Sequence, residues 1–379
     1  MAELKTLYRP TVTFGCDPEV FFVKKGTLNR KYPVVVGAEK VLPKNGHVVP
    51  DGVQAELHPG TAACRANLGN YMKSAMASLQ TLAKKHDLDV CFRSVVNVRA
   101  AELATLSIGA QQLGCMPSLN IYGRPHIQTD GMKYRKRSAA GHIHIGSNLI
   151  DRGVVSQTKA AYIPPSVLVP LLDILVGLPS VMIDRDPGNV ERRKKYGKAG
   201  EYRLPAHGLE YRTLSNFWLR DYKLFSLVLG QARTAFYLAS GCALGAEERK
   251  KASYYYTKPD WDAGTRVLEA VSLPNVEKAI NTNDLTLALS EFEKVKPILS
   301  GLSIGDGINN QVTGHAHMWP DWDYFISKPL EHWFPKQPLE SWLASWEGHG
   351  NGWESFFWQT VHIERMKAEA KTVKVGAKP

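Results

Sequence analysis

Cysteine is scarce and scattered in this 379-residue chain. Cys16, Cys64, Cys91, Cys115 and Cys242 make an odd total with no CxxC spacing. That pattern argues against a disulfide framework and a structural zinc site, and it fits reduced thiols in a cytoplasm. Long unbroken apolar runs are also missing. The most apolar segment, PPSVLVPLLDILVGLPSVMI, is interrupted by Pro170, Asp173 and Pro179, so a buried helix is expected there and not a membrane span. The first residues, MAELKTLYRP, lack the apolar core of a secretory signal, and a cytoplasmic location is the expectation. No GxxxxGK[ST] occurs, which removes a P-loop. Nor is there a helix-turn-helix glycine signal, a zinc-finger spacing or an aromatic–basic RNP pattern, so nucleic acid is not an expected partner.

What is present is an ordinary globular composition, 44% hydrophobic and 22% charged, long enough for one large domain or two. The formal net charge is +11. Much of the excess sits in KYRKRS (133–138) and ERRKKYGK (191–198), and basic clusters of this kind attract phosphate. Strand-like segments appear at 12–23, 50–59, 90–98, 140–147, 200–205 and 209–214. Between them, Leu68, Met72, Ala75, Leu79 and Leu82 mark one face of a helix over 66–85. Ser215 and Asn216 offer an N-cap to a helix reaching Cys242, with Trp218, Tyr222, Phe225 and Leu229 inside. Seven of the nine tryptophans lie between Trp319 and Trp358, in a region that reads as helical. The order is α+β. It divides into a catalytic domain over 10–245, a helical accessory region packed on it over 246–366, and a disordered basic tail over 367–379.

The stretch SAAGHIHIGSN carries the chemistry. In a strand successive side chains alternate faces, so His142 and His144 share one and Ile143 and Ile145 the other. The same alternation puts Asp17 with Glu19, Gln54 with Glu56 and His58, and Glu210 with Arg212. If these faces line one concave sheet, at least four carboxylates share a cavity and raise one another's pKa values unless cations are present. Such an oxygen-rich set suits Mg²⁺ or Mn²⁺. A second HxH pair, His315 and His317, has no strand-borne carboxylates nearby and reads as structural. Residues 348–352, GHGNG, read as a loop, and Asp184 and Asp186 as caps, salt bridges or the order of a basic loop.

Taken in order, GCDPEVFF, DGVQAELHPG, AAGHIHIGS, YGKAGEYR and GLEYRTLSNFWL resemble the phage-type amidoligases of the glutamine synthetase and glutamate–cysteine ligase superfamily. The resemblance spans about residues 12–220. It implies a curved antiparallel sheet forming a funnel flanked by helices, ATP and Mg²⁺ (or Mn²⁺) as cofactors, and a location in host cytoplasm if the chain is phage-encoded. It also implies Asp17, Glu19 and Glu56 as metal carboxylates, His142 or His144 as the imidazole ligand, and Glu210 as a further ligand. Arg203 and Arg212 would hold phosphate, with Lys195 or Lys198 assisting, and Arg212, Arg203 and Glu56 would act at the reaction.

The implied reaction joins a small-molecule or peptide carboxylate to an amine through an acyl phosphate, with His58 and His144 both open as base for the amine. Two readings of other classes stand beside it. One is a metal-dependent hydrolase using the HxH pair, and the other is a basic nucleic-acid-binding protein. The arginines separate the first from the hydrolase, because triphosphate binding needs forked donors that a hydrolase of neutral amides does not. Substrate identity and oligomeric state are not written in these motifs.

Overall fold

The run 12–23, expected as one strand, is two. Pro18 has no N–H to give a ladder, and the chain changes sheets at Asp17–Pro18. The structure, a computed structural model, describes residues 12–300 apart from 64, 113–117, 126–133, 148, 151–161, 185, 244–245 and 247–259. Cys64, Cys115, the second HxH pair, GHGNG, the tryptophan-rich region and the basic tail therefore lie outside the described residues.

In chain order the strands are β1 (Thr13–Cys16), β2 (Glu19–Lys24), β3 (Val35–Val36), β4 (Val48–Asp51), β5 (Gln54–Leu57), β6 (Thr61–Ala62), β7 (Leu88–Cys91), β8 (Val95–Asn97), β9 (Leu119–Asn120), β10 (Lys136–Ser138), β11 (Ile143–Gly146), β12 (Glu201–Arg203) and β13 (Gly208–Tyr211). A six-stranded sheet runs β6-β1-β11-β13-β12-β9, with every pair antiparallel. A five-stranded sheet runs β3-β2-β5-β4 with β7 also on β2, and β8 and β10 form a separate ribbon. Mixed helix and antiparallel sheet is thus the architecture. The single curved sheet implied by the resemblance is two sheets here, joined where Glu19 N–H donates to Ala140 O at 2.8 Å. The segments at 50–59 and 90–98 also break in two. The first is a hairpin with Asp51 opposite Gln54, and Gly52 takes φ +59° in its turn, a conformation that suits glycine.

Register fixes what each face of the large sheet does. Cys16, Ile143 and Tyr211 lie side by side on adjacent strands, as do Phe14, Ile145 and Leu209, and all six are buried in the core. Against that face packs the apolar rod Pro165–Ile183, 89% of it buried. It is a core helix, buried all round as its composition demands. Pro170 and Pro179 do not end it, because a π-helical turn at Asp173–Gly177 lies between them and absorbs the change of register. Helix Arg65–Lys85 buries Leu68, Met72, Ala75 and Leu79, as the periodicity predicts.

The next helix starts later than the sequence suggests. Phe217–Arg220 form a 3₁₀ turn first, and helix Tyr222–Ala243 opens with Asp221 Oδ1 accepting from Lys223 N–H at 2.7 Å. Ser215 and Asn216 are used elsewhere: Ser215 Oγ donates to Asp184 Oδ2, and Asn216 Nδ2 donates to Glu19 O at 2.6 Å. Helices Ala263–Ala270, Leu273–Thr282 and Leu285–Ser300 contribute Val267, Ile280 and Phe292 to the same hydrophobic core.

Gly141 sits at the junction of sheet and helix layers. A Cβ there would collide with the Ser215 carbonyl oxygen and would come within 2.5 Å of Trp218 Nε1. Gly141→Ala is expected to lower the free energy of unfolding by about 1–3 kcal/mol, the usual cost of overpacking, as read by urea denaturation. An unchanged midpoint would mean that this close approach relaxes without cost.

Candidate active site and metal centres

The polar face of the large sheet is a grid. Gly15, His144, Glu210 and Arg203 stand directly opposite one another across β1, β11, β13 and β12. Gly15 leaves room in this row, since a Cβ there would lie 3.0 Å from Thr61 Cγ2 and 3.6 Å from His144 Cβ. Two residues along each chain, on the same face, come Asp17, His142 and Arg212. Both histidines turn toward one carboxylate: His142 Nδ1 is 3.0 Å from Asp17 Oδ1, and His144 Nε2 is 3.0 Å from Asp17 Oδ2. The alternation read from GHIHIG therefore holds, and its polar side is enclosed rather than solvated, with His142 4% exposed.

Glu210 is the buried anion of this grid. Arg203 grips it with two bonds, Nε to Oε2 at 2.6 Å and Nη2 to Oε1 at 2.8 Å. Arg212 Nη1 also donates to Oε1, and His142 Nδ1 lies 3.3 Å from the same oxygen. Burial alone would raise the pKa of Glu210, but His142, Arg203 and Arg212 hold it below the usual carboxylate range. Asp17 is half-buried, and His142 and His144 overcome the cost of desolvation and lower its pKa. Burial lowers the pKa of His142 against the pull of Asp17. For His144 burial works the same way, but pairing with Asp17 and proximity to Glu210 prevail and raise it. Asp17, His144 and Glu210 can bring one ligand atom each within 4.8 Å of one another.

A second cluster lies across the Asp17–Pro18 break. Glu19 on β2 faces Glu56 on β5 directly, and Asp51 at the end of β4 completes a set whose ligand atoms also fall within 4.8 Å. Like charges opposite one another destabilise a sheet. Here burial, then Asp51 and Glu56, push the pKa of Glu19 well up, although Ala140 N–H donates to its Oε2 at 2.7 Å. Burial also raises that of Glu56, eased by a short hydrogen bond from His58 Nε2 to Oε1. His58 is raised chiefly by that same bond. Among the described residues the two clusters thus differ in kind: the first has two arginines on its acids, and the second has only His58, on Glu56. A divalent ion suits the second set, all carboxylate oxygens, as well as the residues present can show.

The other expected residues fall differently. Lys195 places Nζ 5.8 Å from the centre of the Tyr134 ring. Lys198 is half-buried, and its carbonyl accepts from Thr213 Oγ1 at 3.0 Å. No ion pair joins either ammonium to the acids of the two clusters among the described residues. Asp184 accepts from Asn189 Nδ2 at 2.7 Å, and Asp186 accepts from the N–H groups of Ser94 at 2.7 Å and Gly188 at 2.8 Å, so both aspartates are tied to the chain around them. The sequence pattern passed over Asp51, Tyr196 and His207. Tyr196 OH contacts both His142 Nε2 and Arg212 Nη2, the latter at 2.8 Å, and His207 Nε2 lies 3.0 Å from His144 Nδ1. Only Asp51 left a trace in the sequence, in the Asp-Gly pair that signals a hairpin.

The contrast between the clusters gives a pH signature. A carboxyl whose folded pKa is raised contributes stability that is present below its unfolded pKa and is lost as pH rises through the folded value. Without divalent ions, wild type should therefore lose stability relative to Glu19→Gln as pH goes from about 4 to about 8, and Mg²⁺ should restore it. Melting curves of the two proteins with and without Mg²⁺ check this. Parallel pH profiles would show that Glu19 is already compensated.

The geometry can be set beside known families. Residues 124–261 match the family model described as Phage phiEco32-like COOH.NH2 ligase-type 2. The match contains His142, His144, Arg203, Glu210 and Arg212, while Asp17, Glu19, Asp51 and Glu56 precede it. No curated protein matches the chain. Over residues 124–261, then, the chain is similar to the phage-type carboxylate–amine ligases.

Proposed function

We propose that the protein is an ATP-dependent ligase that joins a small-molecule or peptide carboxylate to an amine through an acyl phosphate, in the cytoplasm of the cell that makes it. The observation that carries this reading is the pair of acidic centres flanking one sheet junction, with two arginines converging on the shared acid Glu210. Glu19, Asp51 and Glu56 would hold one Mg²⁺ or Mn²⁺, and Asp17, His144 and Glu210 a second. Bound there, the ions neutralise triphosphate charge and align its oxygens.

The residues of the chain do the rest. A carboxylate oxygen of the substrate attacks the γ-phosphorus, the bond to the β,γ-bridging oxygen breaks, and ADP leaves. Arg203 and Arg212, their guanidinium groups oriented by Glu210, would offer the transferred phosphoryl group the N–H donors they have left. The amine nitrogen then attacks the carbonyl carbon, phosphate departs, and the amine proton passes to a base. His58, held on Glu56 at the rim, is the group suited to that, because His144 is given to the metal. His144 is assigned as the imidazole ligand in preference to His142, because it is the histidine whose ligand atom falls within 4.8 Å of those of Asp17 and Glu210 together. Lys195 and Lys198 would assist at phosphate from the loop before β12, and 246–366 would form a helical accessory region packed on the catalytic domain.

Release of ADP from ATP with Mg²⁺ and pooled amino acids and amines tests the reaction. Amine-dependent ADP release supports it, and none with any pool sinks it. In calorimetry, Glu19→Gln should keep its fold and weaken Mg²⁺–ATP binding by about 10–100-fold, the usual effect of disturbing a metal site. An unchanged titration would remove Glu19 from that site.

Arg212→Lys tests the phosphoryl step. Lysine offers a point charge where arginine offers a planar fork, and Arg212 spends its fork on Glu210 and Tyr196 together. With the cognate carboxylate from the screen, turnover and positional isotope exchange in ATP should both fall by about 10²-fold or more, the scale of a lost donor to developing charge. Exchange at the wild-type rate would move Arg212 out of phosphoryl transfer.

A further inference from the structure

We propose that Tyr196 is a positioning residue of this site: its hydroxyl couples the Arg212 guanidinium to His142 Nε2, fixing both the orientation of the arginine and the nitrogen on which the histidine carries its proton. The role rests on the ligase reading for its consequence in turnover, but its geometry does not.

Donor and acceptor counting sets the direction of the chain. Arginine has no acceptor, so Arg212 Nη2 donates to the Tyr196 oxygen across 2.8 Å. The tyrosine proton then has His142 Nε2 as its partner, which makes Nε2 an acceptor. The ring proton of a neutral His142 is left on Nδ1, where Asp17 Oδ1 lies at 3.0 Å and Glu210 Oε1 at 3.3 Å. Since Arg212 Nη1 donates to the same Glu210 oxygen, the loop closes. Arg212, Tyr196, His142 and Glu210 form a ring in which each bond runs from the arginine toward the carboxylate. Networks of this kind are worth more than their pairs.

The tyrosine is itself held rigidly. Two guanidinium groups, Arg192 and Arg212, each lie 5.1 Å from the centre of its ring. Arg192 is buried and donates to the carbonyls of Thr213 at 2.7 Å, Leu214 at 2.6 Å and Arg212 at 3.3 Å. It thereby anchors the chain just past β13 from which Arg212 projects. Gly197 lets the backbone turn tightly beneath it, with φ +74° and no space for a Cβ against the Arg192 guanidinium. A hydroxyl placed this firmly, touching one group that faces phosphate and one that orients Asp17, acts on the reaction through them.

Tyr196→Phe in the full-length chain separates this from a packing role, because the ring keeps its place beside the two arginines. In metal-free protein labelled with ¹⁵N, wild-type His142 should carry its proton on Nδ1, and its Nε2 resonance should move in the phenylalanine variant. In ADP release, kcat should fall by about 10–100-fold, as for other orienting partners, while KM for ATP changes less than about threefold and the melting temperature holds. A wild-type proton on Nε2, an Nε2 resonance indifferent to the substitution, or a kcat within about twofold of wild type would each overturn the proposal. If wild type itself releases no ADP, it is the ligase reading that fails, and the His142 resonances alone decide the role of Tyr196.

Discussion

A buried carboxylate needs a countercharge, and the centre of this protein is arranged around the one given to Glu210. Two arginines and a histidine converge on it from three directions: Arg203 from the neighbouring strand, Arg212 from two residues on, and His142 from the strand on the other side. Removing one partner would leave this buried charge less fully compensated, with the remaining two to hold it. Because every partner comes from a different position in the sheet, the charge pattern also fixes register. A slip of one residue in β11 would send both histidines into the core and both isoleucines into the site.

The second acidic centre is built on the opposite logic. Among the described residues, Glu19, Asp51 and Glu56 meet with no arginine or lysine in hydrogen-bond contact, and His58 bonds to Glu56. A fold can tolerate such a set in its free form by shifting pKa values upward, as Glu19 and Glu56 do under burial and mutual repulsion. It can also hand the set a cation. The two centres share a backbone link only two residues long, Asp17 to Glu19, so whatever binds at one is felt at the other. Asp17 already contributes to the raised values of Glu19 and Glu56.

Much of the site was legible in the sequence because period two survives folding. His142 with His144, and Glu210 with Arg212, kept the shared faces that alternation assigned them. What alternation could not reveal was sheet membership. Asp17 and Glu19 share a local pattern, yet Pro18 breaks the strand between them and they enter different clusters. Asp51 escaped notice because it belongs to a hairpin turn and reaches Glu19 only through the β2–β5–β4 pairing. Tyr196 had no signal at all: a tyrosine among arginines and lysines reads as a solvated loop until the fold wraps Arg192 and Arg212 around it.

The same wrapping corrects what the net charge seemed to offer. Both basic clusters were read as phosphate attractors, but their arginines mostly serve the chain. Arg137 is buried and donates to the carbonyls of Tyr134, Lys136 and Gln111, Arg192 bonds three carbonyls, and Arg193 reaches Asn283 Oδ1 at 2.8 Å. Lys136 and Lys194 both pair with Glu191, at 2.7 and 3.0 Å. Guanidinium groups suit this work because five donors on one plane can satisfy several carbonyls at once. A cluster of like charges in sequence is therefore divided by burial into arginines that cross-link backbone and lysines left nearer the surface. Lys195 and Lys198 are joined to no acid by an ion pair among the described residues, whereas Lys136 and Lys194 are already held by Glu191.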